Sequence, residues 1–208
     1  MLETVLEVEK YLGLQEGFFH NLQLEDDWSL IIKLNSLIET SCSAMLAETL
    51  CKPELMDAFS QLQTGNIKSG KLAFISTLRL LTNKEIKFIE TLAWLRNRLV
   101  HNIGSTQLNI AEHLAALSES RRKECEQNLN LSESITFKGV RYSGREAVAS
   151  FPQQAIWMSG MACLHSICAQ IIFGQKRRAL LDSHISELKR NGPIILTEDD
   201  FKIEPFSN

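Results

Sequence analysis

Apolar residues recur at helical spacing along most of this chain, and this regularity limits the folds it can adopt. Between residues 26 and 50 the apolar side chains fall three or four positions apart and form one stripe: Ile31, Leu34, Ile38, Cys42 and Met45. Such a stripe buries one side of a helix against its neighbours. The same period returns in four later segments, residues 71–81, 83–103, 106–117 and 152–191. The sequence therefore predicts an all-α fold.

Cap residues mark where these helices begin and end. Asp26 and Asp27 precede the first helix, which Pro53 is predicted to stop near Leu50. Thr82 and Glu85 have the spacing of a capping box, in which the hydroxyl and the carboxylate each satisfy a backbone amide. A helix should therefore begin near Asn83, and Gly104 is its predicted C-terminal cap.

Shorter elements are predicted between and after these helices. A short helix over about Pro53–Leu62 precedes the polar loop QTGNIKSG and a helix over about Lys71–Leu81. A helix from about Thr106 should bury Ile110, Leu114 and Leu117 and continue into the charged stretch SESRRKECEQN, which is solvated or reaches toward a partner.

The last third of the chain combines a hairpin with a long helix. The segment SITFKGVRYSG alternates in hydrophobicity around Lys138-Gly139 and predicts a small β-hairpin. From Pro152 a helical pattern continues toward Asn191, with Gly160 or Gly174 as possible breaks. We predict one domain spanning 1–208, with its core at about 26–192 and residues 193–208 as a C-terminal arm.

Composition restricts the environment and the partners that the chain suits. The 22 basic and 25 acidic side chains leave a net charge of −3, so attraction to nucleic acid would have to be local. The five cysteines lack paired spacing and mostly sit among apolar residues, which indicates reduced core thiols. The acidic N-terminal stretch is unlike an export signal. We therefore expect a cytoplasmic protein.

One stretch also has the length of a membrane span. Residues 151–174 contain no Asp, Glu, Lys or Arg. They do contain polar side chains, namely Gln153, Gln154, His165 and Gln170. We favour a central buried helix over a bilayer span, and expect no membrane association.

The stretch FIETLAWLRNRLVHN, residues 88–102, places an apolar and a polar strip on opposite sides of one helix. Phe88, Leu92, Leu95 and Leu99 form the apolar strip. Glu90, Trp94, Asn97 and His101 fall on the other side at about 100° per residue. The helix thus has a face for the core and a face for chemistry.

The polar residues of this helix suit metal-independent cleavage of RNA. Arg96 offers a permanently charged fork to phosphate oxygens, His101 can move a proton near neutral pH, and Asn97 can position a phosphate or a sugar hydroxyl. No His, Cys, Asp or Glu cluster with metal spacing accompanies them, so no metal or other cofactor is expected. The alternative is structural, because cations near a helix C-terminus also interact well with the terminal carbonyls.

Residues 96–101, RNRLVH, resemble the R-N-x-x-x-H motif of HEPN domains. The longer segments LIIKLNSLIETSCSAML and KLAFISTLRLLTNKEIKFIETLAWLRNRLVHN are similar to the mannitol operon repressor-like branch: an acid-bearing helix, a lysine-started helix, a turn and the motif helix. The resemblance covers about residues 26 to 120. It implies an up-and-down helical bundle that commonly dimerises and is often a metal-independent ribonuclease of a toxin or defence system.

By this resemblance Arg96, Asn97 and His101 are the catalytic positions, whereas Asn102 follows the motif and Arg98 is a variable position within it. We take Arg98, Asn102 and Trp94 as candidates for RNA contacts. Trp94 could stack a base or form part of a dimer contact. The expected partners are RNA, a second copy of the chain, and an antitoxin or regulatory protein. The same branch includes regulators, so a non-catalytic module that binds a nucleotide or a partner is the alternative.

Three other features allow two interpretations each. His113 lies in an apolar helical pattern, which is more typical of a core or groove histidine than of a ligand. The basic runs Arg121-Arg122-Lys123 and Lys176-Arg177-Arg178 are most simply solvated helix surface. Either run could hold an RNA backbone if it lies beside the motif.

Overall fold

The structure, a computed structural model, describes residues 5–100, 109–137 and 139–191. Helix accounts for 75% of the described residues and strand for 5%, which confirms the all-α prediction. The elements in chain order are α1 (Val5–Tyr11), α2 (Phe18–Leu24), α3 (Asp27–Thr49), a 3₁₀ turn (Pro53–Leu55), α4 (Met56–Ser60), α5 (Lys71–Thr77), α6 (Asn83–Val100), α7 (Ile110–Ala115), α8 (Glu119–Asn128), β1 (Ser134–Phe137), β2 (Val140–Ser143), α9 (Gly144–Ser150) and α10 (Pro152–Asn191).

Helix α3 lies at the centre of the core. It packs along α10 on one side and against α4, α5 and α6 on others. The five residues of its predicted apolar stripe are all buried, as its helical spacing requires. The core also takes in residues before the predicted boundary at 26, namely Val8, Phe19 and Leu22. The first two helices therefore belong to the packed body.

The glycines of α10 allow close packing, and neither of the two possible breaks in this helix occurs. Helix α10 runs without interruption from Pro152 to Asn191. A Cβ at Gly160 would lie 2.5 Å from the Leu34 Cδ2 atom, and one at Gly174 would lie 2.8 Å from the Glu48 carbonyl. Both glycines face α3, so their missing side chains let the two backbones approach. The two glycines that looked like helix breaks in the sequence instead mark the contact between α10 and α3.

Two helices end in a left-handed residue that is not glycine. At the end of α3, Cys51 has φ 54°, and at the end of α5, Arg79 has φ 53°. After α5 the Leu80 amide donates to the Ile75 carbonyl and the Arg79 amide donates to the Ser76 carbonyl, as in a Schellman motif. This motif ends α5 at Thr77, four residues before the predicted Leu81.

Local signals placed the start of α6 and the hairpin correctly. The Thr82 amide donates to Glu85 Oε2 at 2.7 Å and the Glu85 amide donates to Thr82 Oγ1 at 3.3 Å, which is the predicted capping box. Strands β1 and β2 pair antiparallel, with Phe137 opposite Val140. The hairpin prediction is therefore confirmed, although Lys138 of its turn lies outside the described residues.

The helix predicted from Thr106 through the charged stretch is two helices. It ends at Ala115 and restarts at Glu119, where the Ser118 hydroxyl accepts the Arg121 amide as an N-cap. The charged helix is not wholly solvated either, because Cys125 and Glu126 are buried against the neighbouring elements. Glu126 accepts from Arg145 Nε of α9 at 2.9 Å. Leu117, predicted as buried, is half-buried.

All five cysteines are free, as predicted for reduced thiols. Four of them are buried and Cys51 is half-buried. Burial raises the pKa of Cys42 to about 12 and that of Cys168 to about 11, so these thiols stay protonated at neutral pH. They act as small apolar core residues.

Two helices, Asp27–Thr49 and Pro152–Arg190, are long and apolar enough to cross a membrane by length and composition. Of their most apolar windows, 61% and 50% are buried inside the protein. Core helices meet the same criterion when they are packed on several sides, as α3 is here. The predicted C-terminal arm, with Gly192 and Pro193, lies outside the described residues.

Candidate functional site

Helix α6 presents the predicted motif residues on the side that its core stripe leaves free. Leu92, Leu95 and Leu99 are buried, whereas Arg96 is half-buried and Asn97 is exposed. The helix is described to Val100. His101 and Asn102, two of the predicted site residues, lie outside the described residues, as does Gly104. The structure therefore shows the first half of the motif in its surroundings.

Arg96 and Asn97 line a polar cavity of about 330 Å³ between α3, α6 and the loop before α5. Asn35 and Glu39 of α3 form one wall, and Gln63, Thr64 and Gly65 form another, with Ala93 beside the motif residues. The loop QTGNIKSG supplies this second wall. The sequence predicted it only as a polar loop between two helices. The cavity is thus built from three parts of the chain that meet by tertiary packing.

The Arg96 guanidinium is held in position but is not neutralised by any described carboxylate. Its Nη1 donates to Asn97 Oδ1 at 3.0 Å. Its Nε is buried and has no hydrogen-bond partner among the described residues. A buried donor without an acceptor costs free energy, which an incoming acceptor would recover. Arg96 is therefore prepared to receive an oxygen ligand, and an anion most of all.

Glu39 is a site residue that the sequence reasoning did not select. Its carboxylate accepts from Thr64 Oγ1 at 2.7 Å and pairs with Lys71 Nζ at 3.4 Å. Lys71, the first residue of α5, is almost fully buried, with 1% of its side chain exposed. Lys71 Nζ also lies 3.5 Å from the Glu39 carbonyl. The pair fastens α5 and the loop wall to α3, and so fixes the cavity opposite Arg96.

A second cavity of about 250 Å³ adjoins the first along α6. The two share Gly65, Ala93 and Asn97 in their linings. Trp94 of α6 and Arg121 of α8 form the far side, together with Glu90, Thr91 and Glu124. The Arg121 guanidinium lies 4.1 Å from the centre of the Trp94 ring, and that of Arg98 lies 5.3 Å from it. One indole thus holds two cations beside the motif.

His113 of α7 lies near the same end of α6. Burial lowers its pKa, and the nearby Arg98 guanidinium lowers it further. Its Nε2 is buried without a hydrogen-bond partner in the described part of the chain. The imidazole is therefore neutral at physiological pH, in agreement with the prediction of a core or groove histidine.

The described residues assemble a site for an anion more readily than one for a metal. Arg96 offers a permanent positive charge, Asn97 orients it, and Trp94, Arg98 and Arg121 continue along the same side of α6. In residues 5–100, 109–137 and 139–191 no group of three or more His, Cys, Asp or Glu side chains is placed to hold a metal ion. Glu39 is the carboxylate of the first cavity, and its Oε1 accepts from Thr64 and pairs with Lys71.

Comparison with known proteins found no match to this chain among protein-family models, curated proteins or solved structures. The resemblance to HEPN domains therefore rests on the motif and the helix order in the sequence.

Proposed function

We propose that the chain is a HEPN-type, metal-independent endoribonuclease whose catalytic residues are Arg96, Asn97 and His101. The observation that carries this proposal is that Arg96 lines a polar cavity and that its buried Nε has no hydrogen-bond partner among the described residues. An arginine fork that has no carboxylate partner in the described part of the chain is suited to bind a phosphate by two parallel hydrogen bonds. Asn97 keeps the fork oriented by accepting from its Nη1.

In the proposed reaction the ribose 2′-oxygen attacks the adjoining phosphorus while the bond from phosphorus to the 5′-oxygen breaks. The 2′-hydroxyl gives up its proton to a base, and the leaving 5′-oxygen takes a proton from an acid. Arg96 stabilises the additional negative charge on the phosphoryl oxygens in the transition state. The products are a 2′,3′-cyclic phosphate and a free 5′-hydroxyl.

His101 is proposed to move the protons. In the sequence it follows Val100, the last described residue of α6, and a position at the C-terminal end of that helix would favour the protonated imidazole and so the role of acid for one copy. A second copy of His101 across a two-fold axis would supply the base. This requirement supports the proposal of a homodimer with its two motif helices close together. Sedimentation at micromolar concentration should show a dimer, and a monomer at that concentration would remove this support.

Cleavage is tested with total cellular RNA in EDTA. Wild-type protein should cut the RNA, whereas Arg96→Ala and His101→Ala should not. Lys87→Ala is a matched control, because it removes an exposed cation from the same helix outside the two motif cavities. Equal cutting by the wild type and by both motif variants would show that a contaminant or another site is responsible.

One observation favours a second candidate function, a non-catalytic module that binds a nucleotide or a protein partner. Glu39 lines the same cavity as Arg96, and a site with both charges suits a ligand that has a phosphate and hydroxyl or amine donors. The net charge of −3 also gives no general attraction for RNA. Under this alternative, mononucleotides should raise the melting temperature of wild type but not of Arg96→Ala, and RNA should remain intact.

The remaining expectations belong to the same proposal. A cytoplasmic toxin or defence nuclease would need an antitoxin or regulatory protein to restrain it in its own cell. Toxicity on expression that is lost in His101→Ala would support this role. Equal growth of cells expressing either protein would argue for the non-catalytic module.

A further inference from the structure

We propose that the cavity between α6 and α8 is a second RNA-binding subsite, in which Arg121 holds the phosphate of a nucleotide that adjoins the one bound by Arg96. This inference rests on the proposed function for its ligand, single-stranded RNA. It adds a residue and a helix, α8, that the motif does not include. Its basis is the arrangement of Arg121 against Trp94.

Of the three consecutive cations on α8, Arg121 is the one that lines a motif cavity. Its guanidinium lies 4.1 Å from the centre of the Trp94 ring, on the motif helix. Arg122 instead pairs with Glu126 at 3.5 Å, and Lys123 pairs with Glu119 one turn earlier on α8. The basic run is therefore divided, with Arg121 alone directed at the site.

The Trp94 ring orients the Arg121 guanidinium and leaves it accessible. The cation–π attraction of the indole holds the guanidinium over the ring, and the N–H donors that do not face the ring remain available. Nη1 already donates to Glu124 Oε2 at 2.6 Å, and the other donors can serve a phosphate. With 31% of its side chain exposed, Arg121 can be reached from solvent.

The subsite is continuous with the Arg96 cavity. Gly65, Ala93 and Asn97 line both cavities, so they open on the same stretch of α6. A strand that places one phosphate at Arg96 therefore runs past Trp94 toward Arg121. Arg98, 5.3 Å from the centre of the same indole, adds a second cation along this path.

The carboxylates of the subsite predict how charge changes should act. Glu124 pairs with Arg121 and, with Glu90, lines the cavity. Each lowers the local potential that a phosphate would experience. Replacing Glu124 with glutamine should strengthen RNA binding, whereas replacing Arg121 should weaken it. A groove that is merely surface would show neither response.

The test measures binding of a fluorescein-labelled, single-stranded RNA of mixed sequence to the full-length His101→Ala protein in EDTA, by anisotropy at several salt concentrations. Adding Arg121→Ala should weaken binding severalfold and reduce the log–log salt slope by about 0.7, the value for one lost contact with a single-stranded phosphate. Adding Glu124→Gln should tighten binding. Lys123→Ala is the matched control, because it removes one exposed cation from the same helix, and it should change neither quantity.

Binding and cleavage are scored separately, so the two proposals can fail separately. If the wild-type protein cleaves RNA while Arg121→Ala and Lys123→Ala affect binding equally, the subsite is overturned and the proposed nuclease activity stands. If RNA binding depends on Arg121 but the wild-type protein cleaves no RNA, the subsite is supported and the non-catalytic module is favoured. Absence of RNA binding would overturn the subsite outright. Circular dichroism of each variant checks that the helices are intact.

Discussion

The ion pair between Glu39 and Lys71 should support both the fold and the motif cavity, and Glu39→Gln tests this. The substitution keeps the size of the side chain and an acceptor for Thr64, while it removes the negative charge facing Lys71. Lys71 is 1% exposed, so its ammonium group would be left buried without a carboxylate. A change in stability can therefore be assigned to the charge of Glu39 and not to the size of its side chain.

The expected loss of stability follows from the geometry of the pair. Two unit charges 3.4 Å apart attract by about 5 kcal/mol at an effective dielectric constant of about 20, before desolvation is subtracted. Removing one partner of a fully buried pair costs about 3–5 kcal/mol. Because 35% of the Glu39 side chain is exposed, water can replace part of the interaction. We expect Glu39→Gln to lower the free energy of unfolding by about 1.5–3 kcal/mol.

Urea denaturation at neutral pH measures this loss, with Glu54→Gln as the control. Glu54 pairs with Lys52 at the surface, where both side chains are 64% exposed, and its neutralisation should cost less than about 0.5 kcal/mol. Lys71→Met should be nearly neutral alone and should restore stability to Glu39→Gln, because it removes the buried charge itself. Equal effects of Glu39→Gln and Glu54→Gln, or no rescue by Lys71→Met, would refute the reasoning.

Gly174→Ala should destabilise the protein by about 1–2 kcal/mol in urea, although alanine is the better helix former by about 1 kcal/mol, because the methyl group would meet the Glu48 backbone. A more stable variant would contradict the close approach of α3 and α10. Leu95→Ala should cost about 2–5 kcal/mol, whereas Arg96→Ala should cost less than about 1 kcal/mol, since the first leaves a core cavity and the second removes a donor that has no partner among the described residues. Similar losses would make Arg96 a structural residue. Burial lowers the pKa of folded His113, so the stability it contributes is complete above about pH 6.5 and is lost as pH falls through the folded pKa. His113→Gln should reduce the loss of unfolding free energy as pH falls. A pH profile of stability equal to that of wild type would contradict this role of His113.

The parts of the fold that the sequence predicted are those determined by near neighbours. The capping box of Thr82 and Glu85 and the hairpin around Gly139 each depend on residues a few positions apart, and both were placed correctly. The end of α3 at Thr49 lies within one residue of its predicted end near Leu50. The end of α5 was harder to predict, because Arg79 adopts the left-handed conformation that usually signals glycine.

Features that depend on distant contacts were misread or missed. Gly174 resembled a helix break because its neighbour in space, Glu48, is 126 positions away in sequence. The motif drew attention to Arg96, but the cavity around it also needs Glu39 and Thr64, which only tertiary packing brings there. The resemblance to the mannitol operon repressor-like branch included an acid-bearing helix before the motif helix, but it gave that acid no role. Arg121 was recognised as part of a basic run, and its place beside Trp94 required the structure.

The central claim is that the chain cleaves RNA by internal attack of the ribose 2′-oxygen, and one substitution in the substrate tests it most directly. A cleavage site is first mapped on a short RNA in EDTA, and the 2′-hydroxyl preceding the cut is then replaced by hydrogen. We expect that cutting at this position stops while the unmodified RNA yields a 2′,3′-cyclic phosphate. Undiminished cutting of the deoxy-substituted RNA, or cutting only with added magnesium, would indicate an activated water instead and would contradict the assignment of Arg96 and His101 as the catalytic pair.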